Sequence, residues 1–414
     1  MIAALARAGG SYRAVLREPR YARLWLAGLC SSFGDTLHYI ALVILVLALT
    51  GQGLAVAGLV AVEILPVLLL APVAGVLIDR TSRKAILIGS DLFRAALALT
   101  LVWPQGVWHA YAVAAGLSIG NVFFNPTQSA VIPALTTVEQ RLAANSVSFS
   151  TGRLVQILAA AVAGGAIALV GTGPAFALNS ASFALSAALI ATIRIPPHAG
   201  QLAGAARRGL GAFFAEARGG LAYARSDPFV SRLLIVQSLA SFAVGATGAM
   251  LIVLAERRLE LPPAGFAWLI GAIGLGALVG PLIPNAFARN YHTARWLFVP
   301  YLIRGVGDVL IAVFTALPVA LVILFVYGLC ASTGMVVFNS TIQRAIPDAF
   351  RGRVFTLLDV SWSAMRLLSL GLGGLVVDRL GIVPLYWIGG TLLALAGILG
   401  LSLFGRMRFS EPQA

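Results

Sequence analysis

Apolar residues in this chain run in blocks of about 20, broken by short polar clusters, almost from end to end. A block of that length, coiled at ~1.5 Å per residue, covers the ~30 Å hydrocarbon core of a bilayer. Twelve blocks read as spans: 22–50, 53–78, 85–103, 108–130, 142–170 and 173–193, then 231–255, 265–288, 296–317, 318–338, 354–378 and 382–404. The prediction is an all-α integral membrane protein with twelve transmembrane helices in two pseudo-symmetric six-helix halves. The longest connection separates the sixth span from the seventh, so the expected division is an N-terminal half over 1–193, a cytoplasmic linker over 194–230 and a C-terminal half over 231–414. Within the linker, FFAEARGGLAYARSDPF predicts a short amphipathic helix at the membrane surface, against which its glycines count.

Composition agrees. Only 11% of residues are charged and 59% are hydrophobic, where a soluble domain carries roughly 25% charged residues. A net charge of +14 suits a nucleic-acid binder, but its placement argues otherwise, since loops on the cytoplasmic side collect Lys and Arg. With the N-terminus inside, 22 of the 29 basic residues fall in cytoplasmic segments, three outside (Arg257, Arg258, Arg379) and four within spans (Arg94, Arg153, Arg304, Arg366). Both termini are therefore expected in the cytoplasm, with a lipid bilayer rather than nucleic acid as partner. The N-terminal stretch has a short apolar start followed by arginines and no cleavage pattern, so the first span is expected to be retained. Cys30 and Cys330 both lie in spans, and His109 and His292 stand alone at span ends, so neither a disulfide framework nor a metal site is predicted.

The two halves repeat one plan. NPTQSAVIP at 125–133 matches NSTIQRAIP at 339–347; Arg153 follows Pro133 by 20 residues and Arg366 follows Pro347 by 19, and each is followed by a Gly pair, Gly164-Gly165 and Gly373-Gly374. An internal repeat of six spans is how many secondary transporters are built, with the substrate site at the repeat interface near the midplane.

Gly75-Val-Leu77-Ile-Asp79-Arg80-Thr-Ser-Arg83-Lys84, between the second and third spans, resembles the G-x-L-x-D-R-x-G-R-K loop of the major facilitator superfamily, with Ser82 where the family usually has Gly. LWLAGLCSSFGDTLHYIAL, the stretch from NPTQSAVIP to Arg153, and IPDAFRGRVFTLL resemble its bacterial drug, macrolide and siderophore exporter branch, which includes enterobactin-exporter-like proteins. The Gly-Gly that proton antiporters of this kind carry in the fifth span is present, while the preceding Gly-Pro is replaced by Ala160-Ala161. The resemblance implies a central cavity bounded by the first, fourth, seventh and tenth spans, flanked by the second, fifth, eighth and eleventh. It also implies a gate in which Gly75, Asp79, Arg80, Arg83 and Lys84 act together, Asp79 meeting the start of the eleventh span near Arg351 and Arg353.

Ionisable residues inside spans are costly and functional candidates by default. Asp91 with Arg94 and Arg304 with Asp308 are spaced to share one helical face, and each pair is expected to neutralise itself. That leaves Asp35, Glu63, Arg153, Asp359 and Arg366, most of them 15 to 20 Å into their helices at ~1.5 Å per residue. An acid held between burial, which favours its neutral form, and an arginine, which favours its charged form, can bind and release protons. Asp35, then Glu63, with Arg153 as counter-ion, are the proton-coupling candidates; a permanent strut is the structural alternative. The expected substrate cavity adds His38, Tyr39, Asn121, Phe124, Asn125 and Gln128 from the first spans. Gln156, Gln237, Phe242, Phe338, Asn339 and Trp362 complete it, with Asp359 and Arg366 facing them; Asn125 and Asn339 serve equally as helix caps or hinges.

Gly116-Leu-Ser118-Ile-Gly120 fits the hydrolase pattern G-x-S-x-G, but a nucleophile elbow needs a strand-to-helix turn. Mid-span, it and Gly276-Ala-Leu-Val-Gly280 read as small-residue helix packing. The chain is thus expected to be no enzyme and to need no cofactor, a proton gradient supplying the energy. It is expected to act as a monomer in a bacterial inner membrane, exporting small amphipathic compounds by alternating access. A lipid or lysolipid flippase or an importer of the same fold is the first alternative, separable by substrate accumulation in cells; a non-transporting sensor or scaffold is the second, and the short loops count against it.

Overall fold

The computed structural model describes residues 12–196, 210–283 and 293–405, and helices occupy all twelve predicted blocks within them. The first six are α1 (Pro19–Thr50), α2 (Gly53–Arg80), α3 (Arg83–Thr100), α4 (Val107–Leu135), α5 (Val138–Val170) and α6 (Gly173–Ala191). The linker contributes α7 (Leu210–Ser226). There follow α8 (Pro228–Ala249), α9 (Leu251–Arg257), α10 (Pro263–Val279), α11 (Ala294–Val313), α12 (Leu317–Ala345), α13 (Asp348–Leu380) and α14 (Ile382–Phe404).

Ten of the described helices are long and apolar enough to cross a bilayer. Of the two remaining predicted spans, α3 carries Arg83, Lys84, Asp91 and Arg94 in 18 residues, and α10 has 17 residues. Several helices outrun their apolar blocks because caps are available in the flanking polar residues. Ser82 accepts the Ala85 N–H to start α3, and Thr137 and Gln140 form a capping box on α5. Asp227 accepts the N–H groups of Phe229 and Val230 at 2.8 and 3.2 Å to start α8, whose first residue is Pro228. The seventh span is broken at Met250, between α8 and α9.

The chain divides into two compact units, Met1–Leu45 with Leu65–Leu210, and Val46–Ile64 with Gly211–Ala414. In the first, α3 packs against α6 and α4, and the core gathers Tyr21, Leu24, Phe124 and Ile190. In the second, α11 packs on α14, α10 on α12 and α8 on α13, around Phe298, Tyr301 and Phe404.

Small residues set these contacts. A Cβ on Gly116 or Gly120 would run into Leu97 or Arg94 of α3, and one on Gly276 or Gly280 into the α12 backbone. The G-x-S-x-G stretch is therefore packing surface. The linker helix is real, and the glycines that counted against it are its contact points: a Cβ on Gly220 would strike the backbone carbonyl of Arg353. Tyr223 stacks on Phe350 at 4.4 Å, and its hydroxyl donates to Asp227 Oδ2 at 2.9 Å.

Candidate functional site

The polar centre of the first unit is Arg94. Its side chain is 1% exposed; one guanidinium nitrogen donates to Asp91 Oδ1 and the other to Asn121 Oδ1, while the latter also lies 3.8 Å from Asp35 Oδ2. The guanidinium plane is held between two rings, 4.4 Å from the Phe124 centroid and 4.2 Å from that of Phe183. Helix α4 makes room for the arginine stem at Gly120, where a Cβ would stand 2.5 Å from Arg94 Cγ. A buried charge survives only when paired and hydrogen-bonded, and here the pairing is uneven: one guanidinium faces two carboxylates. Asp91 is fully buried with Oδ2 lacking any hydrogen-bond partner, whereas Asp35 is 36% exposed.

The cation beside Asp35 is thus Arg94, while Arg153 donates to Gln156 Oε1, 3.1 Å away on its own helix. The Asp91–Arg94 pair forms, but Arg94 is not spent on it. Glu63 falls in the segment that clusters with the second unit.

Among the predicted cavity residues of the first unit, His38 and Phe124 are buried, not on an open wall. His38 turns edge-on to Phe176 of α6 at 5.2 Å, with both ring nitrogens lacking a hydrogen-bond partner, and Phe124 packs in the core beneath Arg94. Tyr39 and Asn121 are half-buried; Asn125 is exposed. Gln128 lines a cavity of about 300 Å³ between α1, α4 and α5, with Tyr21, Trp25, Ser32, Asn145 and Ser148. Sequence reading missed those five. Tyr21 donates to the Ala144 carbonyl at 2.7 Å and Trp25 Nε1 to Thr151 at 2.9 Å, so both polar tips are satisfied; Tyr21 is buried behind the cavity, and half-buried Trp25 presents an aromatic face. A Trp–Tyr pair near the start of a first span is the signal available.

In the second unit α8 and α13 are zipped by polar contacts: Ser238 to Ser361 at 2.7 Å, Ser241 to the Trp362 carbonyl at 2.8 Å, and the Ala246 N–H to Ser369 at 2.9 Å. Asp359 and Trp362 are exposed on α13, Arg366 is half-buried, and Phe242 is half-buried on α8. Gln237 accepts a hydrogen bond from Tyr301. Phe338 packs partly against the core, with Asn339 half-buried beside it. The Arg304 guanidinium donates to the Tyr327 hydroxyl at 2.8 Å and sits 4.3 Å over that ring; the charge of Asp308, four residues on along α11, acts on it as well, though among the described residues no ion pair within 4.0 Å joins the two.

The charged loop anchors helices. Arg83 donates to the Ala130 carbonyl of α4 at 3.0 Å, and Lys84 to the Ala191 carbonyl at the end of α6 at 2.6 Å, where a helix terminus favours a cation. Gly75 is half-buried and Arg80 exposed; the Asp79 side chain lies outside the described residues. Arg351, near the start of α13, is held by Asp348 at 2.5 Å and by the carbonyls of Gln343 and Ile346. Arg353 lies 5.7 Å from the Phe350 ring centroid. His109 is bonded at both nitrogens, to Thr100 and the Gln105 N–H; His292 lies outside the described residues.

Residues 10–411 match the family described as transmembrane secretion effector. Macrolide efflux protein A of Streptococcus pyogenes is 26% identical over 385 residues, 90% of this chain and 93% of that protein. The putative bacilysin exporter BacE of Bacillus amyloliquefaciens is 24% identical over 308 residues, 73% of this chain and 75% of that protein. The crystal structure of the nucleoside transporter NupG superposes with a TM-score of 0.74 at 11% identity, over 92% of this chain and 98% of that one.

Proposed function

Because the chain belongs to the transmembrane secretion effector family of major facilitator transporters, we propose that it exports small amphipathic organic compounds by alternating access, driven by proton antiport. The observation that carries the reading is the one-arginine, two-carboxylate cluster of Asp35, Arg94 and Asp91. With both acids ionised the cluster holds one uncompensated negative charge beside fully buried groups; with one proton bound it is neutral. Asp35, 36% exposed while Asp91 is fully buried, is the acid that exchanges that proton, and Arg94 passes the change in charge to the packing of α1, α3 and α4.

Macrolide efflux and bacilysin export among the relatives favour outward movement of organic molecules. The cavity at Trp25 and Gln128 offers a flat aromatic face with a few polar groups, which suits an amphipathic substrate. In this reading the protein sits in a bacterial cytoplasmic membrane with both termini inside, acts as a monomer, uses no cofactor and performs no bond chemistry. Purified protein in vesicles with an imposed pH gradient tests it: a macrolide or amphipathic dye should accumulate against its gradient, and a protonophore should abolish the accumulation. Accumulation that ignores both the pH gradient and the protonophore refutes proton antiport.

A further inference from the structure

Helix α13 closes with Gly374-Leu-Val-Val-Asp378-Arg379, the same order of residue types with which Gly75-Val-Leu-Ile-Asp79-Arg80 closes α2. At this second occurrence the acid has a partner far away in sequence. The Gly53 N–H donates to Asp378 Oδ1 at 2.7 Å and the Leu54 N–H to Asp378 Oδ2 at 3.0 Å. These are the first amides of α2, which a helix leaves unpaired and which carry its partial positive charge. The first two amides of α2, which Gln52 precedes, are thus capped by the far end of α13.

The backbones are shaped for this contact. A Cβ on Gly53 would lie 2.6 Å from Val377 Cγ1, and one on Gly374 would lie 2.8 Å from Leu54 Cα. Arg257, at the end of α9, holds the carbonyl of Gly51 in the α1–α2 turn, where Gly51 has φ +63°. All of these residues belong to the second unit, although α1 up to Leu45 and α2 from Leu65 belong to the first. The hairpin 46–64 is therefore a piece of the first six-helix half fastened to the second by a carboxylate, a guanidinium and two glycines.

We propose that Asp378 is a positioning residue for transport: its carboxylate latches the α1–α2 hairpin, and release of the Gly53 and Leu54 amides is a step in the change of access. The latch is made of charge-assisted bonds at a helix end, strong enough to hold one state and weak enough to let go. It rests on the alternating-access part of the reading above and is independent of the coupling ion and the substrate.

Hydrogen exchange of the protein in lipid nanodiscs, read by mass spectrometry over peptides covering 46–64, tests it together with transport in vesicles. Asp378→Ala should speed exchange about tenfold through the whole hairpin, leave exchange at the start of α3 unchanged, and alter transport rate while substrate affinity stays within about twofold. Asp378→Asn, which keeps an acceptor oxygen without the charge, should fall between, and it carries the test if the alanine variant does not accumulate. Arg257→Gln should speed exchange in the same peptides. Faster exchange confined to the first two amides of α2, with transport at the parent rate, overturns the proposal and leaves Asp378 a helix cap only.

Discussion

Replacing Asp35 by Asn separates the two acids around Arg94. If Asp35 exchanges the coupling proton, the parent cluster alternates between one net negative charge and neutrality, whereas in the variant the Arg94–Asp91 pair stays neutral through the cycle. Two unit charges ~4 Å apart attract by roughly 4 kcal/mol at an effective dielectric of ~20, an upper figure for the 3.8 Å Arg94–Asp35 pair because Asp35 is 36% exposed and screened by solvent. A proton taken by Asp35 forfeits only that attraction. One taken by Asp91 forfeits a fully buried, charged hydrogen bond, so under proton antiport Asp35 is the acid we propose to exchange the proton. With one proton exchanged per substrate, a gradient of one pH unit supplies about 1.4 kcal/mol, enough for a roughly tenfold substrate gradient. In vesicles the parent should approach that limit. Asp35→Asn should equilibrate substrate without concentrating it, and its substrate affinity should stay within about threefold. Asp91→Asn should do the reverse, keeping coupled transport while lowering the melting temperature, because Arg94 loses its buried partner at a cost of roughly 3–5 kcal/mol. An Asp35→Asn protein that still builds a tenfold gradient refutes the reasoning outright.

Gly120→Val should destabilise the first unit by about 1–3 kcal/mol, because its side chain enters the space of the Arg94 stem; thermal unfolding in detergent measures this, and an unchanged midpoint contradicts the packing described. Trp25→Ala should weaken substrate binding about fivefold or more by removing an aromatic wall of the α1–α4–α5 cavity, read by ligand titration, whereas Trp268→Ala, on the exposed surface of α10, should leave affinity as it was. The Tyr223 phenol is pushed above its ordinary value of 10.0 by burial, and further by its hydrogen bond to Asp227 and that carboxylate's charge. Its contribution to docking α7 is therefore present below about pH 10 and lost as pH rises through the raised value. Limited proteolysis of the linker should accelerate at alkaline pH in the parent, and Tyr223→Phe should remove that Tyr223-dependent part.

Much of the fold lies open in the sequence because a bilayer demands long apolar blocks and a repeat leaves paired marks, such as Asn125 and Asn339. Side-chain direction is where reading by pattern stops. Spacing along one helix finds the Asp91–Arg94 pair, three apart, but is blind to Asp35, which reaches the same guanidinium from 59 residues upstream. Depth in a span does not give the direction of a long side chain: one Arg153 nitrogen reaches Gln156, three residues on along α5. Spans apolar on every side give little phase to say which face is inward, and so His38 and Phe124 were assigned to an open wall when they belong to the interior. The G-x-x-x-D-R recurrence at Gly374–Arg379 is visible without any structure; what it touches is not.

On the proton-antiport reading, an asymmetry between the two units favours coupling in the first. Each carries an arginine on its third span and stacks it on an aromatic ring of the following span, Arg94 on Phe124 and Arg304 on Tyr327. In the second unit Arg304 donates to the Tyr327 hydroxyl and has one acid acting on it, Asp308, so one cation faces one carboxylate. In the first, the stacked arginine is bonded to a buried acid and has a second, half-exposed acid within 4 Å, so its environment changes by a full charge when that acid takes a proton. If Arg94 is the relay, Arg94→Gln should uncouple transport at any pH gradient even with Asp35 intact, while Arg304→Gln should lower stability and leave the substrate gradient near the parent's. Equal loss of coupling in both variants would mean that the asymmetry of the two arginines carries no function.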